Sequence, residues 1–245
     1  MSKPVLILQL RPEDVTSDSE YACFLKYGSL QAEDTCRLRI EKHGIPDKLD
    51  IDDYSAIIVG GSPFDLSTPK NRKTAIQKKI EADFHELLAR VITQDFPFLG
   101  ACSGNGLLGS YLGTSISTKY SEAISCVTLD ITDAGREDRL LAGFPEQIDV
   151  LLGHKEACDT TPDGATLLMT GSNCPVQMFR IGNNVYATQF HPEADPEEFI
   201  LRIDTYRNYG YFEPHQADVL KKGVRNKSTP YAQKILRRFI ERYHQ

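Results

Sequence analysis

The sequence predicts an α/β protein with a doubly wound, mostly parallel central sheet and helices on both faces. Three observations carry that expectation. Short apolar runs alternate with stretches of helical periodicity through the first half of the chain, the pattern of strands joined by crossover helices. Two of those runs end on Gly60-Gly61 and on Cys102, and small residues follow each. In parallel sheets, sites form at such carboxyl ends.

Residues 5–10 form the first apolar run. Met-Ser-Lys-Pro before it is too short for a signal peptide, so the run reads as a strand. Residues 18–30 carry Tyr21, Phe24, Leu25 and Tyr27 at helical spacing, with Asp18 or Ser19 as the expected cap. Residues 56–61, Ala-Ile-Ile-Val-Gly-Gly, are a second strand closed by glycines. Residues 72–92 place Ile76, Ile80, Phe84, Leu87, Leu88 and Val91 on one helical face. Residues 96–101 are a third strand, and residues 107–112 begin another helix.

The second half reads differently. Residues 124–131 and 176–190 are strand-like with short connections, and Gly182-Asn183-Asn184 is a turn signal within the latter. From about residue 196 the pattern is helical. There Ile235, Leu236, Phe239 and Ile240 make an apolar stripe, with Lys234, Arg237, Arg238 and Arg242 on the solvated side. No linker-like stretch divides the chain. The expectation is one domain over residues 1–245, with a C-terminal helical extension over about 196–245.

Composition narrows the function. The 245 residues suffice for a sizeable core. A net charge of −6 argues against a nucleic-acid surface, which is usually basic. No apolar run reaches the roughly 18–20 residues of a membrane span. The six cysteines are scattered, which argues against a disulfide framework or a zinc site and for a reducing, cytoplasmic setting.

Chemistry concentrates in two segments. Phe-Pro-Phe-Leu-Gly-Ala-Cys-Ser-Gly-Asn-Gly, residues 96–106, reads as a strand breaking into a helix with the thiol at the turn. Such an elbow lifts the side chain out of the sheet. The helix end would favour thiolate and lower the Cys102 pKa, and its N–H groups, Ser103 first, would stabilise an oxyanion. Gln-Phe-His-Pro-Glu, residues 189–193, supplies His191 as base and Glu193 to fix its tautomer. Gly60-Gly61-Ser62-Pro63 is a candidate second oxyanion donor. His154, after Val150-Leu151-Leu152-Gly153, is placed to reach the site; His43, His85, His215 and His244 read as surface residues.

These segments resemble a known family. Gly-Ala-Cys-Ser-Gly, residues 100–104, resembles the nucleophile motif of class I glutamine amidotransferases, and Gln-Phe-His-Pro-Glu resembles their histidine–glutamate motif. Gly60-Gly61-Ser62-Pro63-Phe64-Asp65 is similar to their oxyanion-strand motif. Gly153-His154-Lys155-Glu156, Pro162-Asp163-Gly164-Ala165 and Pro175-Val176-Gln177-Met178-Phe179-Arg180 resemble segments of free-standing proteins similar to the amidotransferase domain of GMP synthase. The resemblance covers roughly residues 4–200.

It implies a flavodoxin-like fold and a triad of Cys102, His191 and Glu193, with Gly61 and Ser103 as the oxyanion hole. Gly60, Gly104, Gly106, Glu122 and His154 become the candidate substrate-binding residues. The implied reaction is hydrolysis of the glutamine side-chain amide through a γ-glutamyl thioester, without metal or organic cofactor. Released ammonia would pass to a separate synthetase chain, if to any. Two positions depart from the family. Gly106 stands where a glutamine is usual, and Ser62 where proline is common. The first motivates an alternative substrate, a γ-glutamyl peptide or conjugate. A non-catalytic regulatory subunit is the third reading.

Overall fold

The computed structural model describes residues 3–210 and 212–244. In chain order the elements are β1 (Val5–Gln9), α1 (Asp14–Gly28), β2 (Thr35–Arg39), α2 (Ile40–His43), β3 (Ala56–Val59), α3 (Ala75–Gln94), β4 (Phe98–Ala101) and α4 (Ser103–Tyr111). Then come β5 (Ile116–Ser117), β6 (Glu122–Ile131), α5 (Asp133–Glu137), β7 (Gln147–His154), β8 (Ala157–Cys158), β9 (Thr166–Thr170), β10 (Met178–Ile181) and β11 (Val185–Thr188). Helices α6 (Pro196–Thr205), α7 (Ala217–Val224) and α8 (Pro230–Tyr243) follow.

The central sheet has the order β2-β1-β3-β4-β11-β10-β9-β6-β7. β2, β1, β3, β4 and β11 run parallel. β10, β9, β6 and β7 extend the sheet by antiparallel pairing, and β5 and β8 form a separate two-stranded sheet. Side-chain alternation explains the two layers of core. Val5 and Ile7 of β1 face one side, packing with Phe24 of α1 and with Ile235, Leu236 and Phe239 of α8. Leu6 and Leu8 face the other, with Ile80, Phe84, Leu87 and Leu88 of α3 and Leu108 of α4. The apolar stripes expected on α3 and α8 are the ones that meet the sheet. Lys234, Arg237 and Arg242 lie in solvent, whereas Arg238 donates to the Leu140 and Ala142 carbonyls.

Boundaries moved where the apolar pattern was uninformative. α1 starts at Asp14 with Glu13 as N-cap, not at Asp18 or Ser19. Its first turns are polar yet buried, because Thr16 bonds the Tyr206 hydroxyl and Ser17 takes a hydrogen bond from Arg37. α3 starts at Ala75, where the Thr74 hydroxyl accepts the Gln77 N–H. α4 begins directly after Cys102, four residues before the expected start.

Candidate active site

Cys102 sits where β4 turns into α4, with φ 52° and ψ −93°. A non-glycine residue in that region stores strain of order 1–3 kcal/mol. The turn is pinned on both sides. The Cys102 N–H donates to Thr188 O of β11 at 2.8 Å, and the Gly106 N–H donates to Cys102 O at 3.1 Å. Close packing of strand on helix completes the elbow. A Cβ on Gly100 would stand 2.7 Å from the Gly104 carbonyl carbon, and one on Gly104 would stand 3.2 Å from Val59 Cβ. Gly104 therefore packs against β3 and is not among the residues bordering the clefts described below.

The histidine is held by charge. His191 Nδ1 lies 2.7 Å from Glu193 Oε1, which also accepts from Arg202 Nη2 at 3.1 Å. Arg202 further pairs with Glu198 and, at 3.5 Å, with Glu20. Glu20 in turn accepts from Arg11 Nε at 2.8 Å and from Gln9 Nε2 at 3.0 Å. All seven side chains are buried. Buried ions persist only when paired and hydrogen-bonded, and here each carboxylate has a guanidinium. The His191 N–H donates to Leu151 O at 3.0 Å, fixing the backbone.

Gly61 joins the two halves. A Cβ there would lie 2.8 Å from His191 Cε1 and 2.5 Å from Arg11 Nη2, so only glycine fits without displacement. Its N–H, expected to face the reacting carbonyl, donates instead to Glu20 Oε1 at 3.2 Å. Gly60 abuts the same carboxylate, 2.5 Å from its would-be Cβ, and is not among the residues bordering the clefts.

Two clefts meet at Cys102. One is bordered by Ser62, Asp65, Ser103, Gly106, His154, Lys155, Glu156 and Gln189; the other by Arg11, Ser62, Ile124, His191, Phe199, Arg202 and Tyr206. Gly106 leaves space that Leu66 partly takes, its Cδ1 lying 3.1 Å from where a Cβ would be. Glu156 fastens that loop by accepting the Leu66 and Ser67 N–H groups at 2.6 and 2.8 Å. Within the first cleft Lys155 and Asp65 stand 3.6 Å apart. Gln189 Nε2 lies 4.0 Å from Cys102 Sγ.

His154 reaches the first cleft, but Glu122 stands behind it. His154 Nε2 is 3.0 Å from Glu122 Oε2, which also accepts from Gln177 Nε2 at 2.6 Å. Glu122, His154 and Cys174 offer three ligand atoms within 4.8 Å of one another. They would hold a metal only by giving up the direct Glu122–His154 bond.

Burial dominates the titration of the pair. It pushes the Cys102 thiol up to about 12, with Arg11 and Arg202 opposing. In the free protein this outweighs the lowering expected from the helix end, although Cys102 is half-buried and borders both clefts. Burial, aided by Arg202, holds His191 down at about 4. Burial acts to raise Glu193, but His191 and Arg202 outweigh it and keep the carboxyl at about 2. The resting site is therefore a neutral thiol and a neutral imidazole oriented by an ionised carboxylate.

The sequence reading missed Arg11, Glu20, Glu198 and Arg202. Charged residues read as surface by default. The one available signal was Arg11 following directly on a run that is apolar but for Gln9.

The profile of the glutamine amidotransferase class-I family matches residues 28–203. One subunit of the glutamine-hydrolysing GMP synthase of Sulfurisphaera tokodaii is 28% identical over 158 residues, 64% of this chain and 76% of that protein. Gamma-glutamyl peptidase 3 of Arabidopsis thaliana is 26% identical over 185 residues, 72% of this chain and 69% of that one. Among solved structures, a glutamine amidotransferase from Thermotoga maritima superposes with a TM-score of 0.75 at 20% identity, covering 98% of this chain and 97% of that chain. No helix among the described residues is long and apolar enough to cross a membrane.

Proposed function

Because the chain belongs to the glutamine amidotransferase class-I family, we propose that it hydrolyses γ-glutamyl amides through Cys102, glutamine being the smallest of them. One observation carries the reading. The strained Cys102 elbow and His191, with Nδ1 fixed by Glu193, border one cleft.

The steps follow from the resting protonation. With Nδ1 bonded to Glu193, the His191 Nε2 takes the thiol proton as sulfur attacks the side-chain carbonyl. The Ser103 N–H, in the first turn of α4, stabilises the oxyanion. Gly61 can add a second donor only when its peptide leaves Glu20. His191 then protonates the departing nitrogen, and the C–N bond breaks. Water, deprotonated by His191, attacks the thioester. The S–C bond breaks, glutamate leaves and the thiol recovers its proton. Lys155 and Asp65 suit the zwitterionic end of the glutamyl group, one for its carboxylate and one for its ammonium. This chemistry requires no metal or organic cofactor.

The archaeal relative is named as one part of a synthase. A separate ammonia-accepting synthetase chain is accordingly the partner proposed for the glutamine reaction. A reducing, cytoplasmic setting belongs to the same reading, supported by six cysteines that are all free thiols.

The test uses a glutamine-analogue diazoketone and intact-mass measurement, with glutamine turnover assayed in parallel. The expected result is one adduct, absent from Cys102→Ser, and loss of turnover in Cys102→Ala with the fold retained. Turnover retained by Cys102→Ala would overturn the proposal. An unreactive thiol would favour a regulatory subunit instead.

A further inference from the structure

The two clefts at Cys102 are unlike in shape and charge. His191 borders only the second of them. It must protonate the leaving nitrogen, so the leaving group departs on that side. The second cleft has a cavity volume of about 40 Å³, whereas one molecule the size of water or ammonia needs roughly 10–15 Å³ on the same measure. Ammonia alone does not account for that space.

Its wall is cationic. Arg11 and Arg202 both border it, and each is only 5% exposed. Their partners Glu20, Glu193 and Glu198 stand behind them, and no carboxylate is among the described residues that border the cleft. Arg202 Nη1 is buried with no hydrogen-bond partner. Ile124 and Phe199 supply apolar surface beside the guanidiniums. Arg11 also bonds the Tyr206 side chain, fixing it in place. Planar guanidiniums with apolar flanks suit a carboxylate on a short carbon chain.

We propose that this cleft takes a leaving amine that carries a carboxylate, so that the preferred substrates are γ-glutamyl amino acids and short γ-glutamyl peptides over glutamine. The inference rests on the γ-glutamyl amide reading given above. The reaction balances as hydrolysis. The γ-carbon–nitrogen bond breaks, the sulfur proton passes through His191 to that nitrogen, and the amino acid leaves. Water then supplies oxygen to the glutamate and a proton, again through His191, to the sulfur.

The experiment compares kcat/KM for γ-glutamylglycine, its neutral isostere γ-glutamylglycinamide, and glutamine. The acid should exceed the amide by about tenfold or more, the scale of a charged hydrogen bond. Ile124→Glu, which places a carboxylate in the cleft, should collapse that ratio, while Ile124→Gln should keep it. Equal rates for acid and amide, or a ratio untouched by Ile124→Glu, would overturn the inference and leave γ-glutamyl hydrolysis standing. Cleavage of glutamine alone would overturn the inference and restrict the broader reading to glutamine. Where turnover is too slow to read, calorimetry on Cys102→Ala gives the same comparison, and equal affinities would overturn it. If the Ile124 variants fail to fold, the acid and amide on the unaltered protein decide alone.

Discussion

The proposed nucleophile and its proposed base are held by opposite means. Cys102 is positioned by shape. Two glycines let α4 lie against β3 and β4, and a strained φ of 52° presents the thiol. His191 is positioned by charge, through Glu193 and the arginines and carboxylates behind it. The shape-held half has no tolerance for a methyl group. The charge-held half has none for a lost ion.

The largest expected effect breaks the second half. Glu193→Gln keeps the size but removes the charge that fixes the imidazole, and it leaves Arg202 with one carboxylate fewer. The kcat should fall about 10⁴-fold, as for an equivalent change in a serine-protease triad, and calorimetry should show a lower melting temperature, because breaking one side of a buried ion pair costs about 3–5 kcal/mol. A loss under tenfold would mean that Glu193 does not orient the base.

Gly100→Ala breaks the first half. Its methyl meets helix backbone, so the elbow must move. A displacement of about 1 Å costs about 10²-fold in rate, and overpacking costs about 1–3 kcal/mol of stability. Turnover and denaturant midpoints measured together check this. An unaltered rate in a destabilised protein would separate the elbow from catalysis.

The smallest effect sharpens the contrast. Burial pushes Glu198 up to about 7 from 4.5. Folding therefore takes up a proton between those values. Its contribution is complete below pH 4.5 and is lost as pH rises through 7. Glu198→Gln should abolish that loss, so its stability relative to the parent should rise by up to about 3 kcal/mol from pH 4.5 to 8. Parallel stability curves for the two proteins would show that Glu198 does not titrate in this window.

The same contrast governs what the sequence disclosed. The elbow was legible because shape leaves local marks: an apolar strand, a cysteine and closely spaced glycines from Gly100 to Gly106. The base was legible only as far as Glu193, two residues away. Arg202 comes from α6, Glu20 from α1 and Arg11 from the segment between β1 and α1, and no local pattern links three distant ions. The start of α1 was hidden in the same way, because its polar first turns are buried against Tyr206 and Arg37. The thiol's elevated pKa was missed because the helix end is visible in sequence and the burial of the sulfur is not.

Cys102 is tied by its own N–H to Thr188, the last residue of β11, and His191 by its own N–H to Leu151 within β7. Both anchors are strand residues of the central sheet, not loop contacts. On heating, such a site has no separate melting step. Inactivation and loss of the sheet should fall on one curve, with no warm interval in which the protein is folded yet idle.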